Sequence, residues 1–263
     1  MTLESVKAAI RDQFNQCAHH YHENSPMADQ ALLDLIVRLA EPRPEDQTLD
    51  VACGGGFLVR EFARTVRKAV GVDLSAAMLG EAERAALARG LSNTAFHLSD
   101  GESLPFADGT FDIVSCKLAL HYFPNPGRAI GEMKRVARNG ARIVLIDRVS
   151  SENKERQAYH NRIEKLRTPA KIRVYATSEI AEMLAEQGLQ INHIQKYEQC
   201  QDAEEWLGTT GTSEQNRLLA RELMLRSLAG DLAGLKVRRA GERLTMTHTT
   251  AIFVATNNAS PRL

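Results

Sequence analysis

Neither sign of charge is in excess: 33 Lys and Arg stand against 33 Asp and Glu, a formal net charge of +0. A nucleic-acid binder draws much of its affinity from phosphate neutralisation and carries a basic surplus, so no nucleic-acid partner is expected. Cysteine is scarce and scattered, at Cys17, Cys53, Cys116 and Cys200, with no Cys-x-x-Cys pair. That spacing encodes neither a disulfide framework nor a structural zinc site, and the four read as reduced thiols. Long apolar runs are missing too; nothing approaches the roughly 18 residues that span a bilayer. The opening stretch MTLESVKAAIRDQFNQ interleaves charge too often for a secretory signal. These absences predict a cytoplasmic protein with no membrane span. No repeat, linker or low-complexity segment divides the chain, so a single domain is expected over residues 1–263.

What is present is the composition of an ordinary folded domain, 43% hydrophobic and 25% charged, which excludes disordered and collagen-like classes. Apolar residues at helical spacing predict helices over 3–20, with Leu3, Val6, Ile10 and Phe14, and over 27–40, ended by Glu41-Pro-Arg-Pro44. Short apolar runs then alternate with helical stretches. Strands are predicted at 48–52, 69–73, 94–98, 111–115 and 141–147, and helices at 57–66, 76–89 and 127–138. Such alternation builds parallel βαβ units with both faces of the sheet covered. Beyond Asp147 the pattern loosens: helices are expected at 151–167, 177–187 and 202–230, and strands at 189–198 and 243–256. The fold class is therefore α/β, a doubly wound, seven-stranded, mostly parallel sheet with an N-terminal helical cover and helical insertions.

Chemistry concentrates at the predicted strand ends. The first strand runs into Leu49-Asp-Val-Ala-Cys-Gly-Gly-Gly-Phe57 and opens onto a helix, a turn that lets a ligand approach the backbone at the carboxyl edge of the sheet. The dinucleotide fingerprint needs a third small residue, and counting from Gly54 and Gly56 that position is Val59. The second strand ends at Asp73, 23 positions after Asp50, where a carboxylate accepts ribose hydroxyls. The third ends at Asp100, placed to accept from an adenine amino group. Together these describe a site for an adenine, a ribose and a group other than a diphosphate.

The motifs DVACGGG (50–56), GVDLS (71–75) with Met78, SDGESLPFADGTFDIV (99–114) and KLALHYFPNPGRAIGEMKRVARNGARIVLID (117–147) resemble those of the class I S-adenosylmethionine-dependent methyltransferases, UbiE-like or type 11 branch. The likeness covers residues 47–148. The sequence departs from the usual D/E-x-G-x-G-x-G in carrying Ala52 at the first glycine, and it has Gly55 where many relatives have Thr or Ser. The resemblance implies S-adenosylmethionine as cofactor, S-adenosylhomocysteine as product and a small-molecule acceptor. It implies Asp50, Ala52, Gly54 and Gly56 around the methionine part, Asp73 on the ribose, and Leu74 and Met78 against the adenine. Asp100, Gly101 and Glu102 would meet the adenine's amino edge, Lys117 the amino acid end, and Tyr21 would close over the cofactor. Residues 1–44 would then be the N-terminal cover, 45–148 the cofactor-binding core, 149–240 an acceptor-side cover with the sixth strand, and 241–263 the last strand and tail.

His121, just beyond the fourth predicted strand, is the expected catalytic base, because an unperturbed imidazole titrates near neutrality; the competing expectation is that it caps a helix or touches the cofactor. The acceptor is expected to be an O- or C-nucleophile such as a phenol, quinol or polyketide-like metabolite. Lys117-Leu-Ala-Leu120 stands where amino-methylating DNA enzymes carry Asn/Asp-Pro-Pro-aromatic. No metal site is expected: His19, His20 and His22 lie on different sides of a helix and lack a suitable carboxylate pair. The basic run 158–175 reads as a solvated face, with acceptor recognition by Tyr159, His160, Arg173 and Tyr175 as the competing reading. Trp206 belongs to a lid or a dimer face, and the protein to a monomer or homodimer. Two other functions stay open: a cofactor-binding protein that transfers no methyl group, and a nicotinamide-dependent oxidoreductase, which Val59 disfavours.

Overall fold

The computed structural model describes residues 2–21 and 28–258. Two helices precede the sheet, α1 (Leu3–Cys17) and α2 (Gln30–Ala40). Thr2 and Asp29 cap them, each side chain accepting from a backbone N–H of the first turn. The alternating region then runs β1 (Gln47–Val51), α3 (Phe57–Ala63), β2 (Lys68–Asp73), α4 (Ala76–Ala88), β3 (Thr94–Leu98), β4 (Phe111–Lys117), α5 (Pro126–Val136) and β5 (Ala137–Val149). The remainder is α6 (Lys154–Arg167), α7 (Thr177–Glu186), β6 (Gln190–Asp202), α8 (Ala203–Gly208), α9 (Glu214–Ser227), β7 (Arg238–Ala240) and β8 (Arg243–Thr256).

The sheet order is β3-β2-β1-β4-β5-β8-β6. Pairs from β3 through β5 are parallel, and β8 pairs antiparallel with both β5 and β6. Chain progression reverses between β1 and β4, where Asp50 sits beside Ser115. Doubly wound sheets bind ligands outside the strand carboxyl ends at such a reversal. Seven strands lie on this path, and β7 is an addition to the seven expected: three exposed residues that pair with β8 across a two-residue turn at Gly241.

Both sheet faces are buried, which explains the unbroken apolar run Ile143–Ile146. Leu49, Val114, Leu145 and Phe253 pack on one side with Ile130 and Met133 of α5 and Ile180 and Leu184 of α7. Ile113, Val144, Ile146 and Ile252 pack on the other with Ile36 of α2 and Leu58 and Phe62 of α3. A separate cluster holds the cover together, with Ile163, Trp206, Leu223, Met224, Leu244 and Met246. Trp206 is 2% exposed, so it belongs to this core rather than to a free lid or dimer face. The single helix expected at 202–230 is two, α8 and α9, because β6 extends through Asp202, Gly211 takes φ +66° and Ser213 caps α9. No helix among the described residues is long and apolar enough to cross a membrane.

Candidate active site

One cleft opens at the β1–β4 reversal, enclosing about 1290 Å³ of space, part of it open to solvent. The glycine turn after β1 forms one wall. Gly54 donates its N–H to Asp73 Oδ2 at 2.8 Å, while Asp73 Oδ1 accepts from Ser75 N at 2.9 Å. Asp73 thus ties β2 to the turn and presents its carboxylate to the cleft beside Leu74 and Met78. Ser75 caps α4 through Met78 N. Asp50, 2% exposed, accepts from Ser115 Oγ at 2.7 Å. Burial lifts its carboxyl to about 6, against the opposing pull of Ser115 and Lys117.

Of the two departures from the family pattern, Ala52 carries local strain and Gly55 has a local cause. Ala52 holds φ +57° in the cleft wall, a left-handed conformation that glycine adopts without strain and alanine does not. At Gly55 a Cβ would stand 2.8 Å from the Tyr21 carbonyl oxygen, so the passage of Tyr21 over the turn leaves no room for the Thr or Ser of relatives. Helix α1 supplies the roof with Lys7, Ile10, Arg11 and Phe14. Lys7 Nζ reaches Asp100 Oδ2 at 2.5 Å and Glu102 Oε2 at 2.7 Å, and Asn15 Oδ1 accepts from Ser75 Oγ at 2.6 Å.

The other half of the cleft is built by Lys117 at the end of β4, Leu118, Ala119, His121 and Tyr122 after it, Arg148 of β5, Arg167 of α6, Lys171, and Thr210 of the α8–α9 loop. His121 is 3% exposed, and its Nδ1 lies 2.5 Å from Oδ1 of the fully buried Asp147. Asp147 Oδ2 also accepts the His121 backbone N–H at 3.0 Å. Burial pushes the imidazole below its ordinary 6.5, with Asp147 working against the shift. The ring is therefore neutral at pH 7; Nδ1–H, assigned from this contact, donates to Asp147 and Nε2 is left as the proton acceptor.

Of the residues singled out from sequence, Tyr21, Asp50, Ala52, Gly54, Asp73, Leu74, Met78, Asp100, Gly101, Lys117 and His121 line this cleft. Gly56 and Glu102 do not. Gly56 is the left-handed N-cap of α3, where a Cβ would meet Ala82 at 2.8 Å and Phe96 at 3.1 Å, so its smallness serves helix–strand packing. Glu102, 1% exposed, accepts from Asn125 N at 2.7 Å and pairs with Lys7, which makes it a brace beneath the roof. Asp100 faces the cleft but is shared with Lys7.

Tyr159, His160, Arg173 and Tyr175 lie elsewhere: Tyr159 donates to Leu223 O, His160 contacts Glu164, Arg173 pairs with Glu179, and its guanidinium lies over the Tyr175 ring. Sequence reasoning missed Arg148, Arg167 and Lys171, whose charge reads as solvent-facing, and Asp147, which the motif quoted above contains as its last residue. His19 is exposed and His22 falls outside the described residues. Among the described residues one grouping, His160, Glu164 and His248, has the spacing of metal ligands. Lys171 Nζ pairs with Glu164 Oε2 at 2.7 Å, while Oε1 faces both imidazoles.

Residues 49–145 match the type 11 methyltransferase domain family. The uncharacterized methyltransferase YcgJ of Bacillus subtilis is 31% identical over 199 residues, 76% of this chain and 79% of that protein. Its crystal structure superposes with a TM-score of 0.82 at 26% identity, over 88% of this chain and 100% of that one. The ubiquinone/menaquinone C-methyltransferase UbiE of Bdellovibrio bacteriovorus is 32% identical over 144 residues, 52% of this chain and 61% of that protein. The [4+2]-cyclase SpnF shares the fold, with a TM-score of 0.63 and 21% identity over 88% of this chain and 82% of that one. An interrupted nucleoside-type glycine turn, a carboxylate at the next strand tip and these likenesses agree, and the chain belongs to the class I S-adenosylmethionine-dependent methyltransferases.

Proposed function

We propose that the protein methylates a hydroxyl oxygen or an acidic carbon of a small molecule, a phenol, quinol or polyketide-like compound, with His121 as base and Asp147 as its positioning partner. The observation that carries this reading is the contact of His121 Nδ1 with Asp147 Oδ1 at 2.5 Å, in the same cleft as Asp73 and the glycine turn. UbiE relatives favour a carbon acceptor. When bound, S-adenosylmethionine supplies a methyl group already activated by its sulfonium, so the protein's task is alignment and proton removal. Asp73 would take the ribose hydroxyls, Leu74 and Met78 the adenine faces, the Ser99–Gly101 turn the adenine edge, and Asp50 the cationic methionine end. Tyr21, Phe14 and the rest of the roof exclude water. Holding nucleophile and carbon in line lowers the barrier by roughly 7–11 kcal/mol, and a positioned base adds about 10²–10⁴ in rate. His121 accepts the acceptor's proton at Nε2, and Asp147 stabilises the imidazolium that forms.

The test is calorimetric titration with S-adenosylhomocysteine, followed by a labelled-methyl screen of phenols, quinols and 1,3-dicarbonyl compounds. The expected outcome is a dissociation constant of about micromolar order and labelled product that falls sharply in His121→Ala. Binding with no product from any acceptor class would favour the non-methylating reading, to which the fold shared with a cyclase lends weight.

A further inference from the structure

Deep in the acceptor half, cations gather around too few anions. Arg148, Arg167 and Lys171 all line the cleft, their side chains 11%, 4% and 3% exposed. Glu164 is the carboxylate among them: Oε2 accepts from Lys171, and Oε1 lies 4.0 Å from Arg148, 3.4 Å from His160 Nε2 and 3.3 Å from His248 Nε2. His248 is held neutral, pushed far down by burial and by Arg148. Lys171 is drawn down to about 8 by burial, with Glu164 opposing and Arg167 and Arg148 adding to the fall. Asp147, next along β5, is taken up by His121 and by the Arg148 backbone N–H. Lys117 and Asp50 offset each other nearer the glycine turn. Three cations against Glu164 and Asp147 leave a positive surplus.

The surplus has an address. Arg167 is satisfied, donating to Trp206 O at 2.9 Å and Thr209 Oγ1 at 2.6 Å and stacking on the indole. The Arg148 guanidinium, with five donors, has no hydrogen-bond partner among the described residues, and Glu164 at 4.0 Å is its single ion-pair contact there. A cation whose side chain is only 11% exposed in the cleft and is left in that condition is costly unless something pairs with it. Lys171, which shares Glu164 with Arg148, is on the base's side of the cleft: its Nζ lies 5.5 Å from the centre of the Tyr122 ring, which is 4.5 Å from that of His121. A metal ion on His160, Glu164 and His248 would deepen the imbalance. An anion removes it.

We propose that the acceptor carries an anionic group, a carboxylate or a phosphate, that docks on the Arg148 guanidinium beside Lys171 and so brings the nucleophile to His121. This rests on the reading of the cleft as a methyl-transfer site and narrows its substrate class. A planar guanidinium grips either oxyanion through two parallel hydrogen bonds. Arg148 is thus a specificity residue of the acceptor pocket and not part of the cofactor's half.

The experiment uses full-length protein saturated with S-adenosylhomocysteine and titrates matched probes: benzoate and phenyl phosphate against benzamide and benzyl alcohol. Anionic probes are expected to bind at least about tenfold more tightly than the neutral ones. Arg148→Met should abolish the difference and Arg148→Lys restore part of it, with S-adenosylhomocysteine affinity unchanged in both. Preference for benzoate over phenyl phosphate, or the reverse, identifies the acceptor's anion. Equal affinity for charged and neutral probes, or no binding of any probe, overturns the proposal. So does a loss of S-adenosylhomocysteine affinity in Arg148→Met, which would hand Arg148 to the cofactor's own carboxylate. Failure of wild-type protein to bind S-adenosylhomocysteine at all would instead overturn the methyl-transfer reading beneath it.

Discussion

At Asp147 a single carboxylate fixes both the backbone and the ring of His121. Asp147→Asn keeps the shape but can stabilise the wrong tautomer and no longer offsets the imidazolium, so kcat should fall by about 10²-fold or more while S-adenosylhomocysteine affinity stays near wild type. Comparing kcat with that affinity checks this. His121 sits below its ordinary 6.5, so activity should hold through neutrality and decline only as pH falls into the acid range, with the limb below 6.5; a limb above 7 would remove His121 as the base. Asp50 runs the other way. Its folded value of about 6 exceeds the ordinary 3.8, so its contribution to stability is present below the unfolded value and lost as pH rises to about 6. A cationic methionine end beside it restores the charged form. Calorimetry at pH 6 in buffers of different ionisation enthalpy should therefore show proton release on binding S-adenosylhomocysteine, and Asp50→Asn should show none. Asp50, Asp73 and the glycine turn were legible because each is a local signal at a strand tip. Arg148 and Lys171 were not, because burial of a charge depends on what folds over it.

Among the elements, α1 decides access. It crosses the cleft with Ile10 and Phe14 and is tied down by Lys7 to Asp100 and Glu102 and by Asn15 to Ser75. Truncation in Lys7→Met leaves the buried Glu102 carboxylate without its cation, a loss of about 1–3 kcal/mol. Hydrogen exchange should report faster opening of α1, and cofactor affinity should drop with it, while α5 and β5 exchange as before. The helix itself was readable from Val6, Ile10 and Phe14, yet nothing in its period says what lies beneath. The same limit explains the division of 202–230 into α8 and α9: a polar stretch capped at Ser213 carries little periodicity, and Thr210 reaches the cleft only through the loop between them.

For the whole molecule, the order of strands matters more than their number. The parallel half was legible because alternating strands and helices admit few topologies, and its reversal between β1 and β4 places the cleft. The antiparallel edge was visible as two late apolar runs, but their pairing was not. β8 lies between β5 and β6, pairing with β5 over Arg142–Val149 and with β6 along nearly its whole length, and it carries His248 into the cover as well as Ile252 into the core. During synthesis this strand is made after both its neighbours. Until it emerges, β5 keeps an open edge of Ile143, Val144 and Leu145, and β6 has no place in the sheet. A chain stopped at residue 242 should accordingly accumulate as aggregate rather than as a smaller folded protein, checked by the soluble fraction after expression. Leu244 and Met246 of the same strand lie in the core of the cover, so the acceptor side of the cleft has its full support only once β8 has been made.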